Sequence, residues 1–133
     1  MKYELILVDD DDVAIFLHEK MLQKSDFQRP SYSFANGRLA LDFIVNKANP
    51  EVMYFILLDI NMPIMNGWEF LEAVKKVQAP LKMHVIMLTS SANNDDRLKA
   101  GLCPLVINYL EKPVNTETFK ALKKTKEFLP YFA

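Results

Sequence analysis

A doubly wound α/β fold, a five-stranded parallel sheet with helices on both faces, is predicted by three features of this 133-residue chain. Residues 5–8, 53–58 and 83–88 are short, nearly continuous apolar runs, as expected of strands covered on both faces. The segments between and after them carry apolar residues at helical spacing. Strands and helices therefore alternate, and parallel neighbours need right-handed crossovers between them.

The first strand, residues 5–8, runs into Asp9, Asp10, Asp11 and Asp12. Asp12 is the expected N-cap of a first helix whose apolar stripe is Val13, Phe16, Leu17 and Met21, with Asp11 in a solvated loop. Residues 31–35 place Tyr32 and Phe34 on one face, which predicts an edge strand, and Asn36 caps a second helix marked by Leu39 and Phe43. After the central strand at 53–58, Asn66 caps a third helix carried by Phe70, Leu71 and Val74. Asn66-Gly67 reads as turn and capping chemistry, glycine permitting a backbone that other residues resist, and Pro63 shapes the same loop. The strand at 83–88 precedes a short helix, Asn94–Gly101, halted before Cys103-Pro104 because proline inside a helix loses a hydrogen bond and clashes. Residues 105–110, interrupted by Asn108, suit a second edge strand. The last helix opens at Asn115 or Thr116, has Glu117 in its first turn, and carries Phe119, Leu122, Phe128 and Leu129 on its inner face.

Half the residues are apolar and the formal net charge is -1, from 16 basic and 17 acidic residues, so one globular domain spanning 1–133 is expected. No global field recommends a nucleic-acid backbone or an anionic membrane as partner. Cys103 is the only cysteine, which excludes an intrachain disulfide and fits a reducing compartment. Only four strongly apolar residues separate Glu4 from Asp9, so neither a signal peptide nor a spanning helix is expected, and the default address is cytoplasmic. The chain stops just after the fifth helix, so no output domain is expected.

In such a sheet, ligands bind beyond the carboxyl ends of the strands, where strand order reverses. That rule selects Asp9 and Asp10 after strand 1, Asp59 after strand 3, Thr89 and Ser90 after strand 4, and Lys112 near the end of strand 5. Three crowded carboxylates repel one another unless a cation neutralises them. Oxygen ligands without histidine or cysteine point to magnesium rather than zinc. With a metal and a lysine beside it, a carboxylate can act as nucleophile in phosphoryl transfer, forming an acyl phosphate.

The stretches Leu5-Ile6-Leu7-Val8-Asp9-Asp10-Asp11, Leu57-Leu58-Asp59-Ile60-Asn61-Met62-Pro63, Val85-Ile86-Met87-Leu88-Thr89-Ser90 and Tyr109-Leu110-Glu111-Lys112-Pro113 occur in this order across essentially the whole chain. Together they resemble the receiver domains of two-component response regulators. The resemblance implies a flavodoxin-like sheet of order 2-1-3-4-5, with Asp59 as phosphoacceptor and Mg2+ as cofactor. It further implies that Asp10 ligates the metal directly, Asp9 holds metal-bound water and Asn61 lends its backbone carbonyl. Thr89 would hydrogen-bond the phosphoryl group, Lys112 would pair with Asp59 or its phosphoryl oxygen, and Tyr109 would be an aromatic switch that follows Thr89. A cis Lys112-Pro113 bond is expected on the same ground, as is tuning of the phosphoryl lifetime by Asn61 and Ser91. The implied partners are a sensor histidine kinase or histidine phosphotransfer protein and a downstream protein target.

Other residues have plainer readings. His18 and His84 lack ligand-spaced partners and read as structural or surface groups, and Cys103 as a buried small hydrophobe. Trp68, Met62 and Met65 cluster beyond Asp59, where they pack the third helix or meet a partner. Small Ser90 leaves room for a phosphodonor. The run from Lys99 to Ile107 departs from the family pattern around Cys103-Pro104, at the surface receivers usually use for output. Two rival functions are a magnesium-dependent aspartyl-phosphate phosphohydrolase using Asp9, and a receiver-like scaffold that is never phosphorylated.

Overall fold

A computed structural model of the chain describes residues 2–77, 81–90 and 94–132. Five strands, β1 (Lys2–Val8), β2 (Tyr32–Phe34), β3 (Val52–Asp59), β4 (Lys82–Thr89) and β5 (Val106–Glu111), form one parallel sheet of order β2-β1-β3-β4-β5. Six helices lie among the described residues: α1 (Asp12–Lys24), α2 (Gly37–Asn46), α3 (Gly67–Lys75), α4 (Asn94–Gly101), α5 (Thr116–Leu122) and α6 (Leu129–Phe132). The three continuous apolar runs are the three inner strands, and the weaker strands are the edges, as the sequence predicts.

Alternate residues of the inner strands feed two separate cores. Ile6, Val8, Ile56, Leu58, Val85 and Met87 meet α2 and α3 through Phe43, Ile44, Phe70 and Leu71 on one face. Leu5, Leu7, Phe55, Leu57, Ile86 and Leu88 meet Leu22 of α1, Phe119 and Leu122 of α5 and Phe128 on the other. Burial of both faces is why these runs lack polar alternation.

On β5, Val106 and Tyr109 belong to the first core, and Ile107 and Leu110 to the second. A spacing of three instead of two marks a bulge, where the register with β4 passes from Val85↔Val106 to Ile86↔Asn108. Asn108, the residue that interrupts the run, belongs to this irregularity, and its Oδ1 accepts the Tyr109 N–H at 2.9 Å.

Four local expectations are corrected. The N-cap of α1 is Asp11, whose Oδ1 accepts from Val13 N–H at 2.9 Å, and Asp12 lies in the first turn. An acidic residue suits that turn too, because it faces the positive end of the helix dipole. The buried residues of α1 are His18 and Leu22, whereas Val13, Phe16 and Leu17 are 66%, 57% and 40% exposed. In α2, Leu39 is likewise exposed, and Ala40, Phe43 and Ile44 face the core. The last helix is two pieces. Lys124 and Thr125 donate to the carbonyls three residues back, and the Thr125 hydroxyl also bonds Leu122 O at 2.7 Å, which tightens the chain out of α-geometry before α6 begins.

Caps at Asn36, Asn66 and Asn115 stand as expected, and Asn66 forms a full capping box with Glu69. Gly67 is needed for a different reason from the one its sequence suggests. No glycine has a positive φ; a Cβ on Gly67 would lie 2.6 Å from the Asp59 carbonyl oxygen. The left-handed residue of this loop is Ile64, at φ 69°, with Met65 N–H donating to Pro63 O at 2.7 Å across it. That is a γ-turn of the strained kind, in a β-branched residue.

Candidate functional site

Strand order reverses between β1 and β3, and the residues that end these strands share one cleft. Asp9 immediately follows β1 and is 3% exposed; Asp59 ends β3 and is 4% exposed; Asp10 is exposed at the cleft mouth. Ligand oxygens of Asp9, Asp10 and Asp59 all lie within 4.8 Å of one another. Lys112 reaches in just beyond β5, its Nζ 3.0 Å from Asp9 Oδ2 and 3.4 Å from Asp59 Oδ1. Its backbone N–H donates to Thr89 O at 2.7 Å, and its bond to Pro113 is cis.

The electrostatics are unbalanced: three carboxylates face one ammonium. Burial, then the charge of Asp9, pushes the Asp59 pKa up from 3.8 to about 6, against the opposing pull of Lys112. Burial alone would depress Lys112, but its hydrogen bond to Asp9 and the charge of Asp59 outweigh this and raise its pKa. An all-oxygen acidic cluster with surplus negative charge fits a hard divalent cation, and Asn61 lines the same cleft. The cleft encloses about 570 Å³ between Asp10, Asp59, Asn61, Ser90, Lys112 and the start of α1. A larger groove, about 810 Å³ between α3 and α4, contains none of these groups; the carboxylates, not the volume, locate the chemistry.

Thr89 and Tyr109 are placed differently from the rest. Thr89 is 1% exposed at the end of β4, one residue past Leu88, the register partner of Asp59. Tyr109 packs against the first core outside the cleft, and its hydroxyl is buried with no hydrogen-bond partner among the described residues. Ser91 lies outside the described residues. Cys103 is buried, as expected, and Met62, Met65 and Trp68 pack partly against the first core.

Sequence reasoning missed the part of the cleft that α1 supplies, Val13, Leu17 and His18 among it. His18 is 2% exposed, lines the cleft, and its Nε2 accepts the Val114 N–H at 3.4 Å. Burial, only partly offset by the Asp9 charge, lowers its pKa. The available signal was its spacing of four from Leu22, the other buried residue of the helix.

A parallel five-stranded sheet whose switch point holds three acids and a half-buried lysine is an α/β domain with a strand-end site of the kind that suits a hard cation and an anionic ligand. A family model described as the response regulator receiver domain matches residues 5–123, and the chain belongs to that family. It is 32% identical over 126 residues to "Probable transcriptional regulator ycf29" of Porphyra purpurea, covering 93% of this chain and 56% of that protein. With a protein-glutamate methylesterase/protein-glutamine glutaminase of Treponema pallidum it shares 31% identity over 131 residues, covering 95% of this chain and 30% of that protein. Among solved structures, a two-component response regulator from Cytophaga hutchinsonii superposes with a TM-score of 0.77 at 27% identity, over 98% of this chain and 99% of the other. No helix among the described residues is long and apolar enough to cross a membrane.

Proposed function

We propose that the chain is a cytoplasmic receiver that takes a phosphoryl group from a phosphohistidine onto Asp59 and thereby switches its contacts with a downstream protein. The observation that carries this reading is the convergence of Asp9, Asp10, Asp59 and Lys112 on one strand-end cleft. The donor would be a sensor histidine kinase or a phosphotransfer protein. Val13 and Leu17 support a protein donor: both are exposed on α1 and line the cleft mouth, a collar of apolar surface beside the nucleophile.

In the reaction, an Asp59 carboxylate oxygen attacks phosphorus and the P–N bond breaks, its electron pair returning to the imidazole of the donor. Lys112 stands within reach of Asp59 and would hold the transferred oxygens, with the Thr89 hydroxyl as second donor. A magnesium ion, held by Asp10, Asp59 and the Asn61 carbonyl with Asp9 behind its water, would neutralise charge on the phosphoryl oxygens. Hydrolysis resets the site when water attacks phosphorus and the acyl C–O–P linkage opens at phosphorus, releasing inorganic phosphate. The chain is thus a phosphoacceptor with self-catalysed turnover at most. The added negative charge gives Thr89 and Tyr109 their switching role.

Asp9 is a poor nucleophile for the rival phosphohydrolase, because its Oδ1 accepts the Asp11 N–H at 2.9 Å and its Oδ2 holds Lys112. A scaffold would have no use for three crowded carboxylates that share a single lysine. Intact-protein mass spectrometry after incubation with acetyl phosphate and magnesium tests the reading: one phosphoryl adduct is expected, absent without magnesium and absent from Asp59→Asn. An adduct that persists in that variant overturns Asp59 as acceptor.

A further inference from the structure

Helix α4 is held to the fold with little apolar contact. It buries only Ala100, while Leu98 is 71% exposed and Leu102, one residue past its end, is 84% exposed. Two cation–π contacts hold it from either side: Arg97 lies 4.9 Å from the Tyr109 ring centroid and Lys99 Nζ lies 4.6 Å from that of Trp68. Between α3 and α4 this leaves the groove of about 810 Å³, with apolar walls from Trp68, Leu71 and Leu102 and a rim of Lys75, Lys76 and Lys99. A smaller groove of about 370 Å³ shares Lys75 and reaches Leu81 and Leu105.

The charge on that rim is not balanced locally. Glu69 and Glu72 also line the groove, Glu72 paired with Lys75 at 3.1 Å and Glu69 accepting the Asn66 N–H, so the lining sets three lysines against two carboxylates. Neither Lys76 nor Lys99 has a carboxylate within salt-bridge distance among the described residues.

We propose that the α3/α4 groove docks an acidic amphipathic helix of a partner protein. Its leucine or phenylalanine anchors enter beside Trp68 and Leu102, and its carboxylates meet Lys76 and Lys99. Apolar walls select apolar anchors, and the lysine rim selects acidic over basic flanks. Helix α3 has nine residues and so offers roughly 14 Å of groove, the length over which a partner helix presents anchors at i, i+3 or i+4 and i+7. The site is distinct from the acidic cleft and does not depend on Asp59 being the acceptor.

The test selects a phage-displayed random peptide library, roughly a dozen residues long, against the immobilised full chain. Enriched peptides are then synthesised and titrated against the fluorescence of Trp68, the only tryptophan. Acidic amphipathic sequences are expected, with saturable change in Trp68 emission and affinity weakened roughly tenfold or more by Lys76→Glu or by Leu102→Asp, the unfolding midpoint being unchanged. No enrichment, enrichment without acidic bias, or binding untouched by both substitutions overturns the proposal. So does sedimentation that shows a dimer dispersed by Leu102→Asp, which would assign the groove to a second copy of the chain.

Discussion

Replacing Asp59 by Asn is expected to stabilise the metal-free protein at neutral and alkaline pH. The native state holds Asp59 at a pKa of about 6 against 3.8 when exposed, a difference of about two units at about 1.4 kcal/mol each, so the ionised carboxylate destabilises the fold by about 3 kcal/mol. The sign follows from proton binding. Below pH 3.8 both states are protonated and nothing is lost. Between 3.8 and about 6 the unfolded chain has released the proton that the native state keeps, so stability falls as pH rises; above about 6 the loss is complete. Asparagine, nearly isosteric and neutral, removes the loss and leaves Lys112 with Asp9 at 3.0 Å. Urea unfolding in EDTA, followed by Trp68 fluorescence, should therefore give Asp59→Asn an advantage of about 3 kcal/mol near about pH 8 that shrinks towards zero near about pH 4. Magnesium should narrow the gap at the higher pH by binding the native wild type. An advantage of equal size at both pH values, or a variant less stable at the higher one, would refute the account of Asp59 as a buried carboxylate in want of a cation.

Lys112→Met should destabilise the metal-free protein by about 3 kcal/mol or more near about pH 8, since two buried carboxylates lose their shared ammonium; urea titration with and without magnesium checks this, with partial recovery in the ion. Gly67→Ala places a Cβ 2.6 Å from the Asp59 carbonyl, so a loss of about 1–3 kcal/mol is expected, with slower labelling of Asp59 by acetyl phosphate because its backbone must yield. Ile64→Gly should raise stability by about 1 kcal/mol in thermal or urea unfolding, because a residue without a Cβ gives up the strain of a γ-turn at φ 69°, and Ile64, 79% exposed, loses no core contacts.

The inner strands and the caps at Asn36, Asn66 and Asn115 were legible because each follows a local rule: a run covered on both faces has no polar alternation, and a cap needs a short acceptor at one position; in the run of four aspartates before α1 that rule left the cap one residue off, at Asp12 instead of Asp11. The faces of α1 and α2 were not. Val13, Phe16, Leu17 and Leu39 have the spacing and apolarity of a core stripe yet lie on the outside, while the inner face of α1 carries His18, and no periodicity distinguishes apolar surface turned towards solvent from apolar surface turned inward. The acidic cleft could be read from strand ends, since topology brings the residue after each strand to one edge. The break before α6 and the left-handed Ile64 could not, because Thr125 is compatible with the helix it interrupts and a β-branched residue gives no sign of a positive φ.

The two edges of the sheet differ from its centre in a way that bears on how copies of this chain meet in a crowded solution. β2 is only three residues long, and β5, six residues long, carries a bulge between Val106 and Asn108 that shortens its regular ladder to the residues after it. A second chain laid along either side would find too few groups in step to zip onto. Growth of the sheet from molecule to molecule is thus blocked by geometry at both ends, and encounters are left to the helices and loops, where side chains can tell one partner from another.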